Sequence, residues 1–336
     1  GMRMTARGRP HTLESTNGHG GKTQEEESVA VTTLGKGAGG RRNVLREMHR
    51  EWTAYLFLAP GLLLFAIFTV FGIAFSIYLS FHQWNVLEPD KPFVGLDNYI
   101  RLAQDKRLRG AVVNTLYYAV VSVPLTMGIG LLIALLLNNR LRARGLFRTL
   151  FYMPVVTSAV AAAVIWKWVY NGDYGLLNYY LLKLNIIEEP LLWLADRNLA
   201  MPSVIAVSVW QGVGFQMVVF LAGLQAIPQE LYDAAKVDGA GAVRRLRHVT
   251  LPLLSPTMFF LFVISMIGAL QEFTRVFLLT NGGPLRRTTT VGYLLYQKAF
   301  KEFEMGYAAA ISYFLFAMVF VFTLLWWRMT YREIEY

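Results

Sequence analysis

The sequence predicts an all-α polytopic membrane protein with about six transmembrane helices and one cytoplasmic helix-turn-helix. Three observations predict it. Of the 336 residues, 55% are hydrophobic and only 16% charged, whereas about a quarter of a soluble domain is charged. The apolar residues form long continuous runs, not the alternation that a barrel strand needs. One charged segment, residues 228–252, interrupts those runs with ordered Pro and Gly punctuation.

Residues 1–50 are rich in Gly, Ser, Thr and Glu and nearly devoid of large apolar side chains. Such a segment buries too little surface to fold, so it reads as a disordered tail. Residues 51–336 read as the membrane domain. A span needs about 20 apolar residues, and the runs that qualify are Trp52–Phe81, Ala111–Leu137, Thr149–Tyr170, Met201–Leu224, Leu253–Leu279 and Gly306–Trp327. No leader pattern precedes the first run, which is expected to stay as an anchor. Pro124 and Pro154 are expected to kink the second and third spans.

Charge sets the orientation. Arg41, Arg42, Arg46 and Arg50 precede the first span, and Arg140, Arg142, Arg144 and Arg148 fill the loop after the second. Lys236, Arg244, Arg245 and Arg247 lie within 228–252, while Glu88, Asp90, Lys91, Asp97 and Arg101 mix signs in the loop between. The positive-inside rule then places both termini and segment 228–252 in the cytoplasm. Trp52, Trp84, Trp166, Trp168, Trp326 and Trp327 mark span ends as an aromatic belt. The net charge of +10 is assigned to these loops, so no nucleic-acid partner is expected. Without cysteine there is no disulfide or thiolate metal site, and the five histidines show no ligand spacing.

Segment 228–252 carries helix formers from Gln229 to Val237, a break at Asp238-Gly239, and a second helical run closed by Pro252. Pro228 suits a first helical turn, and Gly239 suits the left-handed geometry of a helix end. Such a unit at the membrane face is built to touch another protein, the alternative being a solvated basic turn. The segment resembles the "EAA" loop of binding-protein-dependent ABC importer permeases. Asp233-Ala234-Ala235, Gly239 and Val249-Thr250-Leu251-Pro252 fall at that family's spacing, with Asp233 in place of Glu and Val249 in place of Ile. The resemblance extends to Ala59-Pro60-Gly61, Phe93 to Tyr99, Asn114-Thr115-Leu116, Ala222 to Pro228, Thr280 to Pro284 and Gly306 to Ala310. Together these resemble the maltose-type, first-permease subunits of carbohydrate importers.

The resemblance implies a permease subunit, not an enzyme, in a bacterial or archaeal inner membrane. It implies an external binding protein that delivers a sugar, a pair of ATPase subunits that bind and hydrolyse ATP, and a second homologous permease. This chain itself then needs no cofactor and has no catalytic residues. Asp233, Ala234, Ala235, Gly239, Leu251 and Pro252 are the expected ATPase-coupling residues. Arg244, Arg245 and Arg247 suit the phosphates of membrane lipid.

The candidate solute residues come from polar interruptions of the spans. Trp210, Gln211 and Gln216 interrupt the fourth beside Gly212 and Gly214, offering an aromatic face and amides for hydroxyls. Gln271 and Glu272 lie in the fifth, with Thr274 near and Arg275 one turn on to pair with Glu272. Tyr313 is the candidate in the sixth. The competing readings are hydrogen bonds between helices for the glutamines and an internal ion pair for Glu272. A non-sugar solute, such as a glycerol phosphate or polyol, is the alternative cargo. A secondary transporter fits less well, since no inverted repeat is readable and Glu272 is nearly alone as an intramembrane acid. A membrane enzyme would need paired acids or an activated nucleophile in the spans.

Overall fold

The structure, a computed structural model, describes residues 52–139 and 143–330. The tail at 1–50, which includes Arg41, Arg42, Arg46 and Arg50, lies outside the described residues, as do Arg140 and Arg142. Among the described residues the fold is all-α, with only two isolated β-bridges, His82 to Phe93 and Asn85 to Glu304.

Residues 1–63 and 64–336 form two units. The described part of the first is the start of helix α1 (Trp52–Phe65), uncharged and exposed from Tyr55 onward. In the second unit a π-helical stretch (Ala66–Phe71) leads into α2 (Gly72–Ser80), so Tyr55–Ser80 is one apolar helical run. Helices α3 (Asp97–Gln104) and α4 (Lys106–Asn138) follow. The Asp105 carboxylate caps α4 by accepting from the Arg107 N–H at 2.7 Å. Partial burial opposes ionisation there, but the Tyr307 hydroxyl and two backbone N–H groups hold the carboxyl below its usual range. Helix α4 continues through Pro124 to Asn138.

The expected third span is not one helix. Helices α5 (Arg144–Val156) and α6 (Ala159–Val169) meet at 98°. The bend lies at Thr157, which is extended, and not at Pro154, which stays inside α5. Among the described residues there are therefore five helices long and apolar enough to cross a membrane, or six if the bent pair counts as one span. Helix α7 (Leu176–Lys183) leads to α8 (Ala200–Ala226), then α9 (Gln229–Val237) and α10 (Ala242–Arg245).

Pro252 does not close the second helical run, contrary to expectation. Helix α10 passes through a π-helical stretch (Leu246–Thr250) into α11 (Leu251–Leu270), making one run from Ala242 to Leu270. Proline has no N–H to donate, and the wider turn just before it relaxes the bonding pattern there. The fifth span is also shorter than expected. It ends at Leu270, residues 271–273 leave the helix, and α12 (Thr274–Leu279) starts anew. Helix α13 (Val291–Tyr296), a π-helical stretch (Gln297–Lys301) and α14 (Met305–Thr330) complete the chain.

Helix α8 is the centre, packing against α4, α5 and α11. In its most apolar stretch 61% of residues are buried, against 33% or less in the other spans. Close approach needs small residues. A Cβ on Gly130 would sit 2.5 Å from Gln216 Cβ, and one on Gly214 would sit 2.2 Å from the Phe151 carbonyl oxygen. These contacts make α4 run parallel to α8 and put the last turn of α4, the start of α5 and the α9–α10 turn at one end of the bundle. Arg101–Glu304 (2.8 Å) and Lys298–Glu302 (2.5 Å) ion pairs tie the other end together.

Candidate functional site

The two helix breaks face one cavity of about 420 Å³, a size typical of small-molecule sites. Its walls come from α4, α8 and α11, with Val155 from α5 and Arg275 from α12. Glu272 is buried, and the end of α11 positions it. Its Oε1 accepts from the backbone N–H of Arg275 at 2.8 Å, satisfying a donor in the first turn of α12. Its Oε2 pairs with Arg275 Nη1 and accepts from the Tyr118 hydroxyl at 2.9 Å. Ser208 Oγ lies 2.8 Å from that same hydroxyl. The Glu272 carbonyl accepts from Thr290 Oγ1 at 2.6 Å, so both its backbone and side chain are fixed.

Gln211 faces the cavity from α8. Its Oε1 accepts from Arg275 Nη2 at 3.0 Å, and its Nε2 donates to the Thr157 carbonyl at 3.1 Å. One turn further, Gln216 Nε2 donates to Ser265 Oγ on α11 at 2.6 Å. Of the six buried side-chain polar atoms without a partner among the described residues, two are Gln216 Oε1 and Arg275 Nε. Unpaired buried polar atoms are costly, and both belong to side chains that line this cavity.

At one end of the bundle, α9 and α10 form the expected helix-turn-helix. Gly239 has φ +75°. The Gly239 N–H donates to the Lys236 carbonyl at 3.0 Å and the Ala240 N–H to the Ala235 carbonyl at 2.9 Å. That is a Schellman ending, which requires a left-handed residue. Asp233 is exposed and already engaged, accepting from Lys236 Nζ at 2.7 Å and Gln229 Nε2 at 3.3 Å. Those bonds, led by the one from Lys236, hold its carboxyl below the usual range. The Tyr232 and Thr250 hydroxyls, 3.1 Å apart, tie the two arms of the turn. No residue of α9 is buried.

The sequence pattern of the family described as "Binding-protein-dependent transport system inner membrane component" matches residues 126–328. The chain belongs to this family. The permease is 38% identical over 260 residues to the probable ABC transporter permease protein YurN of Bacillus subtilis, covering 77% of this chain and 89% of the relative. It is 35% identical over 272 residues to the trehalose/maltose transport system permease protein MalF of Thermococcus litoralis, covering 81% and 91%. Its fold matches a bacterial alginate ABC transporter solved with an alginate pentasaccharide-bound periplasmic protein. That match has a TM-score of 0.75 and 24% identity, over 87% of this chain and 99% of the other.

The permease brings three of the expected solute residues, Gln211, Gln216 and Glu272, to one cavity. Three others, Trp210, Gln271 and Tyr313, lie outside this cavity, contrary to the expectation of one shared site. Trp210 packs edge-on against Trp166, 5.5 Å between ring centres. Gln271 is exposed in the break after α11 and does not line the cavity. The Tyr313 hydroxyl lies 2.6 Å from Ser76 Oγ and bonds the Ile73 carbonyl, joining α14 to α2. Cavity residues that pattern reading misses are Tyr118, Ser122, Thr126, Ser208 and Ser265. Single hydroxyls in an apolar helix carry no sequence signal.

Proposed function

We propose that the permease forms part of a membrane pathway for a sugar and couples its opening to ATP hydrolysis by partner subunits. The observation that carries this reading is the polar cavity at the two helix breaks, set within membrane-length helices. Gln211, Gln216, Glu272, Arg275, Tyr118 and Ser208 give it donors and acceptors suited to hydroxyl groups. In hydrocarbon such a polar site is expensive and is kept for function. The names of relatives support a carbohydrate: one is a trehalose/maltose permease and one structural neighbour imports alginate.

In this reading the α9–α10 turn faces the cytoplasm and docks into a cleft of the ATPase dimer. Asp233 meets a basic group there, Ala234 and Ala235 permit close approach, and Gly239 fixes the turn. Leu251 and Pro252, at the start of α11, carry its motion into the fifth span. A second, homologous permease closes the pathway on the other side. A periplasmic or extracellular binding protein delivers the sugar. Both termini are cytoplasmic, and Arg244, Arg245 and Arg247 rest on lipid phosphate.

The test is reconstitution of the permease with its partner permease, ATPases and binding protein in vesicles. Sugar-loaded binding protein should raise ATP hydrolysis severalfold and drive uptake of that sugar. Hydrolysis that ignores the loaded binding protein, or uptake that continues without ATP, overturns the proposal.

A further inference from the structure

Glu272 and Arg275 are the charged residues among those lining the cavity, and they consume each other. Both Glu272 oxygens are engaged by Arg275, one through its backbone N–H and one through Nη1, with the Tyr118 hydroxyl added to the second. The remaining guanidinium edge, Nη2, goes to Gln211. The pair therefore puts no net charge into the cavity, and its charged faces are already turned inward. The hydroxyls of Ser122, Thr126, Ser208 and Ser265 and the amide of Gln216 make up the uncharged polar lining that remains.

We propose that this cavity selects neutral polyhydroxylated solutes against carboxylated or phosphorylated ones. The uncharged hydroxyl and amide lining needs both donors and acceptors from the solute, and Glu272 is the specificity residue that keeps Arg275 neutralised. A hydroxyl meets both needs, since it donates and accepts. An anionic solute brings a buried charge with no uncommitted cation to pair it, which low-dielectric surroundings penalise strongly. This inference rests on the reading that the solute occupies this cavity. It adds the charge class and names Glu272 as the residue that sets it.

The experiment measures equilibrium binding of radiolabelled probes to the assembled transporter in lipid nanodiscs, without binding protein. The neutral probes are glucose, maltose, trehalose and lactose; the anionic probes are glucuronate and galacturonate. Wild type should bind at least one neutral probe about tenfold or more tighter than either uronate. Glu272→Gln, which uncovers the Arg275 charge, should tighten uronate binding by about tenfold or more. Gln216→Leu should weaken the neutral probe by about tenfold and spare the uronates. Should Glu272→Gln not assemble, Ser265→Lys adds a cation to the cavity without touching the pair and must give the same gain. Equal binding of uronate and neutral probes by wild type overturns the proposal. So does an assembled Glu272→Gln or Ser265→Lys variant with no gain for uronates. Probes that no protein binds, or whose binding no substitution alters, overturn the cavity reading itself.

Discussion

Gln211 and Arg275 lie 64 positions apart in sequence, yet Gln211 Oε1 accepts from Arg275 Nη2 at 3.0 Å. The other end of the same amide holds the Thr157 carbonyl at 3.1 Å. One side chain on the central helix thus joins both breaks, the α5–α6 bend and the gap between α11 and α12. Breaks free backbone and side-chain polar groups that lipid cannot satisfy, and an amide supplies one donor and one acceptor for them. Gln211→Leu removes both bonds at once. It should destabilise the assembled complex by about 1–3 kcal/mol, seen as a lower midpoint in thermal unfolding in detergent. An unchanged midpoint would show that neither bond matters to the fold.

Gly239 controls the turn by backbone geometry, not by contact. A Cβ there would meet nothing within 4 Å, but φ is +75°. A β-branched residue resists that geometry, at a cost of about 1–2 kcal/mol. Gly239→Val should therefore distort the α9–α10 turn and cut ATPase stimulation by sugar-loaded binding protein, whereas Gly239→Asn should be tolerated better. Equal stimulation in the two variants would remove the argument from φ.

Asp233 offers a test of coupling that leaves the core untouched, because it is exposed at the end of the bundle. Asp233→Lys replaces an intraloop ion pair with repulsion from Lys236 and from any basic group in the ATPase cleft. The variant should assemble but lose stimulated hydrolysis and transport; full activity in vesicles would end the docking role. The pH dependence has a definite sign. The folded carboxyl titrates below its ordinary value of about 3.9, so its contribution is complete above that pH and is lost only as pH falls through the lower folded value. Coupling should thus show no Asp233-dependent change between about pH 5 and 8, checked by comparing the pH profiles of wild type and Asp233→Asn.

Much of this fold was legible because lipid leaves so few options. Uninterrupted apolar runs located the fourth span to within a few residues, at Ala200–Ala226. Pro and Gly punctuation located the α9–α10 turn, and Gly239 has the left-handed backbone its position asked for. The breaks were illegible because tertiary bonds stabilise them. Thr157 is extended where Gln211 receives its carbonyl, and residues 271–273 leave the helix where Glu272 is held by Arg275, Tyr118 and Thr290. The cavity was half legible for the same reason. Gln211, Gln216 and Glu272 stand out in apolar helices, but which direction Trp210 or Tyr313 faces depends on helix rotation. Tyr118 and Ser208 meet only because α4 and α8 run parallel in close contact.

The proposed orientation rests on charge alone and is open to direct labelling. The chain has no native cysteine, so single cysteines give a clean signal. Val237 and Val243, exposed beside the α9–α10 turn, should resist a membrane-impermeant thiol reagent applied to intact cells once replaced by cysteine. Leu87 and Leu285, exposed at the other end, should label readily. Labelling of the Val243→Cys variant from outside would invert the topology and separate the turn from any cytoplasmic ATPase.

The Glu272–Arg275 pair allows its structural and functional roles to be separated. Glu272 is 5% exposed and Arg275 27% by side chain, so removing one partner leaves a charge in low dielectric. Arg275→Leu alone strands the Glu272 carboxylate and should destabilise the complex by about 3–5 kcal/mol. Removing both charges together costs far less, because a buried ion pair contributes little net stability over apolar residues of similar volume. The Glu272→Leu/Arg275→Leu variant should therefore assemble better than Arg275→Leu. If the pair serves transport, the assembled double variant should still take up sugar poorly, since the donor at Arg275 and the anchor for Gln211 are gone. Assembly is read by copurification with the partner subunits, and uptake by radiolabelled sugar in vesicles. A double variant that assembles and transports like wild type would leave the pair with no role in either.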